Sequence, residues 1–155
     1  MKKIVGIVDT MFASVDMYSI VVKTIKDFGA SVNIERYTVP GVKDLPVAAK
    51  KLIDEYNCNI VLALGMPGRE PIDKQCAHQA SQGIILAQLL TNTHIIEIFV
   101  YLDEGKDDKQ LYQIIKNRTR EHTINALHLL EGKEKLSVNA GKGIRQGSPN
   151  VGSLK

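Results

Sequence analysis

The hydrophobic positions fall into two alternating rhythms. Short apolar runs stand at Ile4 to Val8, Val32 to Val39, Asn59 to Leu64 and Ile95 to Tyr101, and longer stretches between them carry helical spacing. The first and third runs are continuously apolar, as in strands covered on both faces. The second alternates (Val32, Ile34, Arg36) and predicts a more exposed strand near an edge. From Ser14 to Phe28, the residues Val15, Tyr18, Val22, Ile25 and Phe28 share one stripe, with Gly29 placed to end the helix. Leu45 to Tyr56 puts Ala48, Ala49, Leu52, Ile53 and Tyr56 on one face. Asp44 is its candidate N-cap, and Pro46 sits in the first turn, where its missing N–H does no harm. A third helix is predicted from about Ile72 to Leu90. Its small residues Ala77, Ala80, Ser81 and Gly83 imply a closely packed partner. A fourth runs from about Lys106 to Leu130, with a polar middle from Asn117 to His122 that blurs its apolar stripe.

Strand–helix alternation with short loops means βαβ units, hence a parallel sheet with right-handed crossovers. The predicted fold is a three-layer α/β/α sandwich around a four-stranded parallel sheet. At 155 residues the chain fits one domain, placed at residues 1–131. Residues 132–155, rich in Gly, Lys, Ser and Asn and ending with Gly147-Ser148-Pro149-Asn150, predict a flexible C-terminal tail.

Charge and cysteine usage narrow the partners. A net charge of +3 with mixed signs argues against nucleic acid, which favours a concentrated basic face. Cys58 and Cys76 have neither metal nor disulfide spacing and read as small buried groups in a reducing compartment. No run approaches the roughly 20 apolar residues of a membrane helix. The N-terminal Met1-Lys2-Lys3 leads straight into a strand rather than a signal peptide. A cytoplasmic protein without membrane or nucleic-acid partners is expected.

In a parallel α/β sheet, ligands bind beyond the carboxyl ends of the strands. That selects Thr10 to Ser14, Pro40 to Asp44, Gly65 to Asp73 and the fourth strand with its flanks. Phe12 reads either as a core or capping aromatic or as a platform for a flat heterocycle. Asp44 reads either as a helix cap or as a ligand contact. The loop Gly65-Met66-Pro67-Gly68-Arg69-Glu70-Pro71 matches neither the dinucleotide fingerprint nor the P-loop. Glu97, inside Ile95-Ile96-Glu97-Ile98-Phe99, is costly to bury unless paired or used. It either faces water on an edge strand or meets a ligand or a neighbouring subunit. His78, His122 and His128 lie on helices and read as solvated or interfacial.

At these four loops the chain resembles the lumazine synthase superfamily, and more closely its archaeal riboflavin synthase branch, over roughly residues 3 to 130. Ile7 to Phe12 is similar to the family's first strand and stacking Phe. Pro40-Gly41-Val42-Lys43-Asp44-Leu45-Pro46 resembles a Pro-Gly motif whose acidic residue, here Asp44, holds the ribityl chain. Ala63-Leu64-Gly65 followed by Arg69 resembles the loop facing the pyrimidine ring. Thr91-Asn92-Thr93-His94-Ile95-Ile96-Glu97-Ile98-Phe99-Val100 resembles the strand that a neighbouring subunit adds to the site. The resemblance implies a lumazine synthase-like fold and substrate contacts from Met11, Phe12, Ala13, Pro40, Gly41, Val42, Lys43, Asp44, Gly65, Met66 and Pro67. His94 and Glu97, with Asp73 and Lys74, become the candidates for proton transfer. A homopentamer with sites between subunits, and a divalent metal such as Mg²⁺, are implied as well.

The chain also departs from lumazine synthases. Their Gly-x-Thr-x-x-His-like loop, which binds a phosphate and supplies a catalytic His, is replaced by Glu70-Pro71-Ile72-Asp73-Lys74. The Arg they place early in the last helix has no obvious counterpart around Lys109 to Leu111. Such a site suits a substrate without phosphate. The implied reaction is the riboflavin synthase dismutation of two 6,7-dimethyl-8-ribityllumazine molecules, a four-carbon transfer that needs no redox cofactor. Lumazine synthase itself and a non-catalytic flavin- or lumazine-binding module are the alternatives. A phosphorylation receiver needs an Asp where this chain has Gly65.

Overall fold

Strand alternation organises the molecule into two cores on either side of one sheet. The computed structural model describes residues 1–155. In chain order the elements are β1 (Lys3–Thr10), α1 (Met17–Phe28), β2 (Val32–Val39), α2 (Leu45–Asp54), β3 (Ile60–Gly65), α3 (Pro71–Thr91), β4 (Ile95–Phe99) and α4 (Asp108–Glu131). Single 3₁₀ turns lie at Val42–Asp44 and Ser137–Asn139. All strands are parallel, in the order β2-β1-β3-β4. The continuously apolar β1 and β3 are therefore central, and the alternating β2 is an edge. Successive side chains point to opposite faces. Val8, Val61, Ala63, Ile95 and Phe99 pack under α2 and α3. Val5, Ile7, Leu62, Leu64 and Ile98 pack under α1 and α4. Each fully buried aliphatic chain contributes roughly 1.5–3 kcal/mol.

Helix ends follow local chemistry. α1 starts at Met17 rather than Ser14 because Asp16 caps it, accepting the Ser19 N–H at 3.1 Å, and Gly29 ends it with a left-handed φ of 77°. α2 stops at Asp54, just before Asn57 turns left-handed at φ 59°. The small side of α3 is used within the chain. Ala77, Ala80 and Ala87 face the sheet, and Gly83 lies where a Cβ would come within 2.8 Å of Pro46 on α2. Its opposite face leaves Ile85, Leu86, Leu89 and Leu90 exposed. The polar middle of α4 is partly buried rather than solvated. Thr119 and Thr123 are fully buried, and the Thr123 hydroxyl donates to the Thr119 carbonyl at 2.7 Å.

Residues beyond α4 are mostly exposed, yet they fold back. The Val151 N–H donates to the Gly143 carbonyl at 2.9 Å. Gly147 lies so close to α4 that a Cβ there would come within 2.6 Å of the Arg118 Cβ. No helix is long and apolar enough to cross a membrane.

Candidate active site

From β1 the chain turns to one side for β2 and to the other for β3, so a topological switch lies between β1 and β3. Ligands in open α/β sheets bind at that crevice. A cleft of about 230 Å³ opens there on the α2/α3 side, lined by Phe12, Gly41, Val42, Lys43, Asp44, Pro67, Gly68, Asp73 and Cys76. Phe12 is 59% exposed and joins no core, which decides against the capping role. Asp44 occupies the N-cap position of α2 but makes no capping hydrogen bond. A capping residue needs extended backbone to reach back to the helix N–H groups. The 3₁₀ turn leaves Asp44 at φ −93°, ψ −7°, so its carboxylate stays free for the cleft. Gly41 is extended, and a Cβ there would meet nothing within 4 Å; its missing side chain keeps the cleft open.

The first turn of α3 forms another wall. Asp73 accepts the Glu70 N–H at 3.1 Å, and a Cβ on Gly68 would overlap its carboxylate. A helix N-terminus is ready to bind an anion, but here the chain's own carboxylate fills that position. Cys76, expected to be buried, lies half-exposed against the same cleft. Cys58 is buried as expected, its thiol pushed up to about 12 by burial and then by Glu35.

Other candidates lie elsewhere. Met11 is exposed outside the cleft, as is Pro40. Ala13 packs toward the α1/α4 core. Gly65 serves packing, since a Cβ would come within 2.8 Å of the Phe99 ring. Met66 belongs to the core at 1% exposure, because it continues the alternation that turns Leu64 toward α1 and α4. Lys74 turns away to Asp103, at 2.5 Å. Their hydrogen bond lifts the amine above its ordinary pKa and holds the carboxyl below its own. Lys74 thus braces the β4–α4 loop and does not line the cleft.

The two candidates on the fourth strand are also separated from the cleft of their own chain. His94 precedes β4, where its carbonyl accepts the Val61 N–H at 3.1 Å. It therefore lies at the amino ends of the strands, roughly 16 Å along β4 from the carboxyl ends at ~3.3 Å per residue. Glu97 is half-buried in mid-strand and points to α3, where the Ser81 hydroxyl donates to its Oε1. Burial pushes the Glu97 carboxyl up, while Ser81 and His78 pull it back only in part.

Sequence reasoning missed Arg118, and it read His122 only as solvated or interfacial. Arg118 lies well inside α4, beyond Lys109 to Leu111, yet reaches the carboxyl end of β4. It donates to the Phe99 carbonyl at 2.9 Å and grips Glu104 with two bonds of 2.9 and 2.6 Å. Burial alone would raise Glu104; the bonds from Arg118 and the Tyr101 N–H outweigh it and hold the carboxyl low. Nothing in the spacing of Glu104 and Arg118 announces this pair. His122 is half-buried, its Nδ1 lacks a partner, and its pKa is pushed down to about 4 by burial and by Arg118.

Fold and site together define an α/β protein with an open cleft at the switch point of its parallel sheet. The chain belongs to the 6,7-dimethyl-8-ribityllumazine synthase family, whose model matches residues 2–134. It is similar over nearly its whole length to archaeal proteins named riboflavin synthase. The relative from Methanothermobacter marburgensis is 53% identical over 150 residues, covering 97% of this chain and 98% of that protein. The relative from Methanothermobacter thermautotrophicus is 51% identical with the same coverage. That from Archaeoglobus fulgidus is 43% identical, covering 97% of both chains.

Proposed function

We propose that this protein is a riboflavin synthase. It would move a four-carbon unit between two molecules of 6,7-dimethyl-8-ribityllumazine, giving riboflavin and 5-amino-6-(D-ribitylamino)uracil. The observation that carries this reading is the carboxylate of Asp73 at the start of α3. It occupies the position where a helix N-terminus would otherwise hold a phosphate. Arg118 is committed to Glu104, so it is no free phosphate ligand either. A lumazine carries no phosphate and meets no such obstacle. Phe12 would stack its ring, and Asp44 with Lys43 would bind the ribityl hydroxyls. Holding two rings in reacting geometry can remove about 7–11 kcal/mol from the barrier.

The cleft, at about 230 Å³, falls below the roughly 300–1,000 Å³ of sites that enclose a small molecule. This supports completion by an adjacent copy. The exposed Ile85, Leu86, Leu89 and Leu90 of α3 offer an apolar face suited to self-association, and a homopentamer is the proposed assembly. His94 and Glu97 of one copy would then serve the cleft of the next, with Asp73 a further proton-transfer group. The cytoplasm is the proposed compartment. For the implied Mg²⁺, the cleft supplies only Asp44 and Asp73 as carboxylates, and no cluster of three His, Cys, Asp or Glu exists in the chain. The residues of one chain do not fit that ion, and no step is drawn through it. The dismutation exchanges no electrons with an outside partner and calls for no redox cofactor.

The test is incubation with 6,7-dimethyl-8-ribityllumazine alone, which should yield riboflavin. The ribitylamino-pyrimidine plus the four-carbon phosphate should yield little or no lumazine. The reverse pattern would identify a lumazine synthase, and binding without turnover a carrier.

A further inference from the structure

Asp9 is the one charged side chain among the buried residues, at 8% exposure. Alternation along β1 turns it with Val5 and Ile7 toward α1 and α4, the face of the sheet opposite the cleft. Both of its carboxylate oxygens are engaged by β2. The Thr38 hydroxyl donates to Oδ1 and Arg36 Nη2 donates to Oδ2, each at 2.6 Å. Arg36 is held in turn by Tyr18 of α1, its guanidinium 4.0 Å from the ring centroid. None of Asp9, Arg36 and Thr38 lines the Phe12 cleft.

An ion pair with a buried member adds little net stability, because removing charge from water offsets much of the attraction. Its placement gives it another use. Asp9 stands three residues before Phe12, and Thr38 three residues before Gly41. The two loops that build the cleft therefore leave the sheet directly above this pair. The paired backbone of β1 and β2 ends at Thr10 and Val39. Beyond it, the Met11 N–H donates to the Val39 carbonyl at 2.8 Å, and the Ala13 N–H to the Thr10 hydroxyl at 3.2 Å. Behind the Phe12 loop lies a cavity of about 230 Å³, lined in part by Asp9, Ala13, Val15, Asp16, Arg36 and Leu64. Apolar packing behind the loop is thus incomplete, and polar bonds at the strand ends set its position.

We infer that Asp9, Arg36 and Thr38 form a clamp that fixes the spacing between the Phe12 loop and the Gly41–Asp44 loop. The clamp thereby sets how the ring and the ribityl chain of one ligand are gripped together. This rests on the riboflavin synthase reading, in which Phe12 stacks the ring and Asp44 with Lys43 binds the ribityl hydroxyls. The three are positioning residues, since they touch neither part of the ligand. Two contacts to one molecule reinforce each other only when their spacing matches it. Without the clamp each loop keeps its own contact, but the fixed spacing is lost.

Two probes of different reach test the inference on the full-length protein. 8-Ribityllumazine without the two ring methyls spans both loops and cannot react. 8-Methyllumazine reaches the ring platform alone. The variant Asp9→Leu/Arg36→Met/Thr38→Val removes all three polar ends together, so no buried charge is left unpaired. It should bind the ribityl probe about ten-fold more weakly, bind 8-methyllumazine as wild type does, and melt close to wild type. Thr38→Val alone should show a smaller effect of the same kind, and Thr38→Ser, which keeps the hydroxyl, should match wild type. Phe12→Ala should weaken both probes. An unchanged affinity of the triple variant for the ribityl probe, or an equal fall for both probes, would overturn the inference. Thr38→Ser binding as weakly as Thr38→Val would do the same, and this comparison decides the matter if the triple variant does not fold. Wild type that binds both probes but makes no riboflavin from lumazine would refute the proposed reaction and leave the clamp to be judged by the probes.

Discussion

Phe12 and Asp44 line the cleft without a structural role of their own, which leaves both free for the proposed ligand. Phe12 sits just past β1 with no core to join, and Asp44 occupies a capping position without making the cap. Replacing Phe12 with Ala should therefore leave the fold almost untouched. A stacked aromatic pair contributes about 0.5–1.5 kcal/mol beyond area burial, so lumazine binding should weaken on the order of ten-fold. Ligand titration beside thermal unfolding checks this. A large fall in melting temperature with unchanged binding would mean that Phe12 stabilises the fold after all.

Among the elements, α4 is the one whose surface pattern misleads most. Its polar middle blurs the apolar stripe, yet Thr119, Thr123 and part of His122 lie against the sheet or its edge. His122 makes the consequence measurable. Its pKa falls from 6.5 to about 4 in the folded chain, so the unfolded chain takes up the proton first. Its contribution to stability is full above pH 6.5 and is lost as the pH falls toward 4. A fully sheltered ring with this shift would account for ~3 kcal/mol, and partial exposure reduces that to ~1–2 kcal/mol. His122→Gln should flatten the acid decline by that amount. Urea unfolding between pH 7 and pH 4 at fixed protein concentration measures it, and an unchanged decline would assign the acid sensitivity to other groups.

For the whole molecule, the decisive feature is separation. Phe12, Asp44 and Asp73 gather at one cleft, whereas Glu97 lies at another groove and His94 at the amino end of β4. If the working site forms between copies, Phe12→Ala/Asp44→Ala and Glu97→Gln variants, each inactive alone, should regain activity when mixed. Some mixed interfaces would carry two intact halves. Native mass spectrometry establishes that subunits exchange, and exchange without returning activity would refute a shared site.

The apolar rhythm of the sequence by itself determined the alternation of strands and helices, the parallel sheet and the edge position of β2. Burial imposes period two on strands and 3.6 on helices, and that imprint is local. Family membership was equally legible, because the motifs around Phe12, Asp44 and Gly65 are contiguous in the chain. Only the tertiary structure decided the rest. It turned Met66 into the core and Lys74 toward Asp103, and it joined Arg118 to Glu104 across fourteen residues of sequence. It also placed His94 at the opposite end of the sheet from the loops it was grouped with. These outcomes depend on which face of a strand or helix meets which neighbour. That is set by packing between elements far apart in sequence, and no local pattern records it.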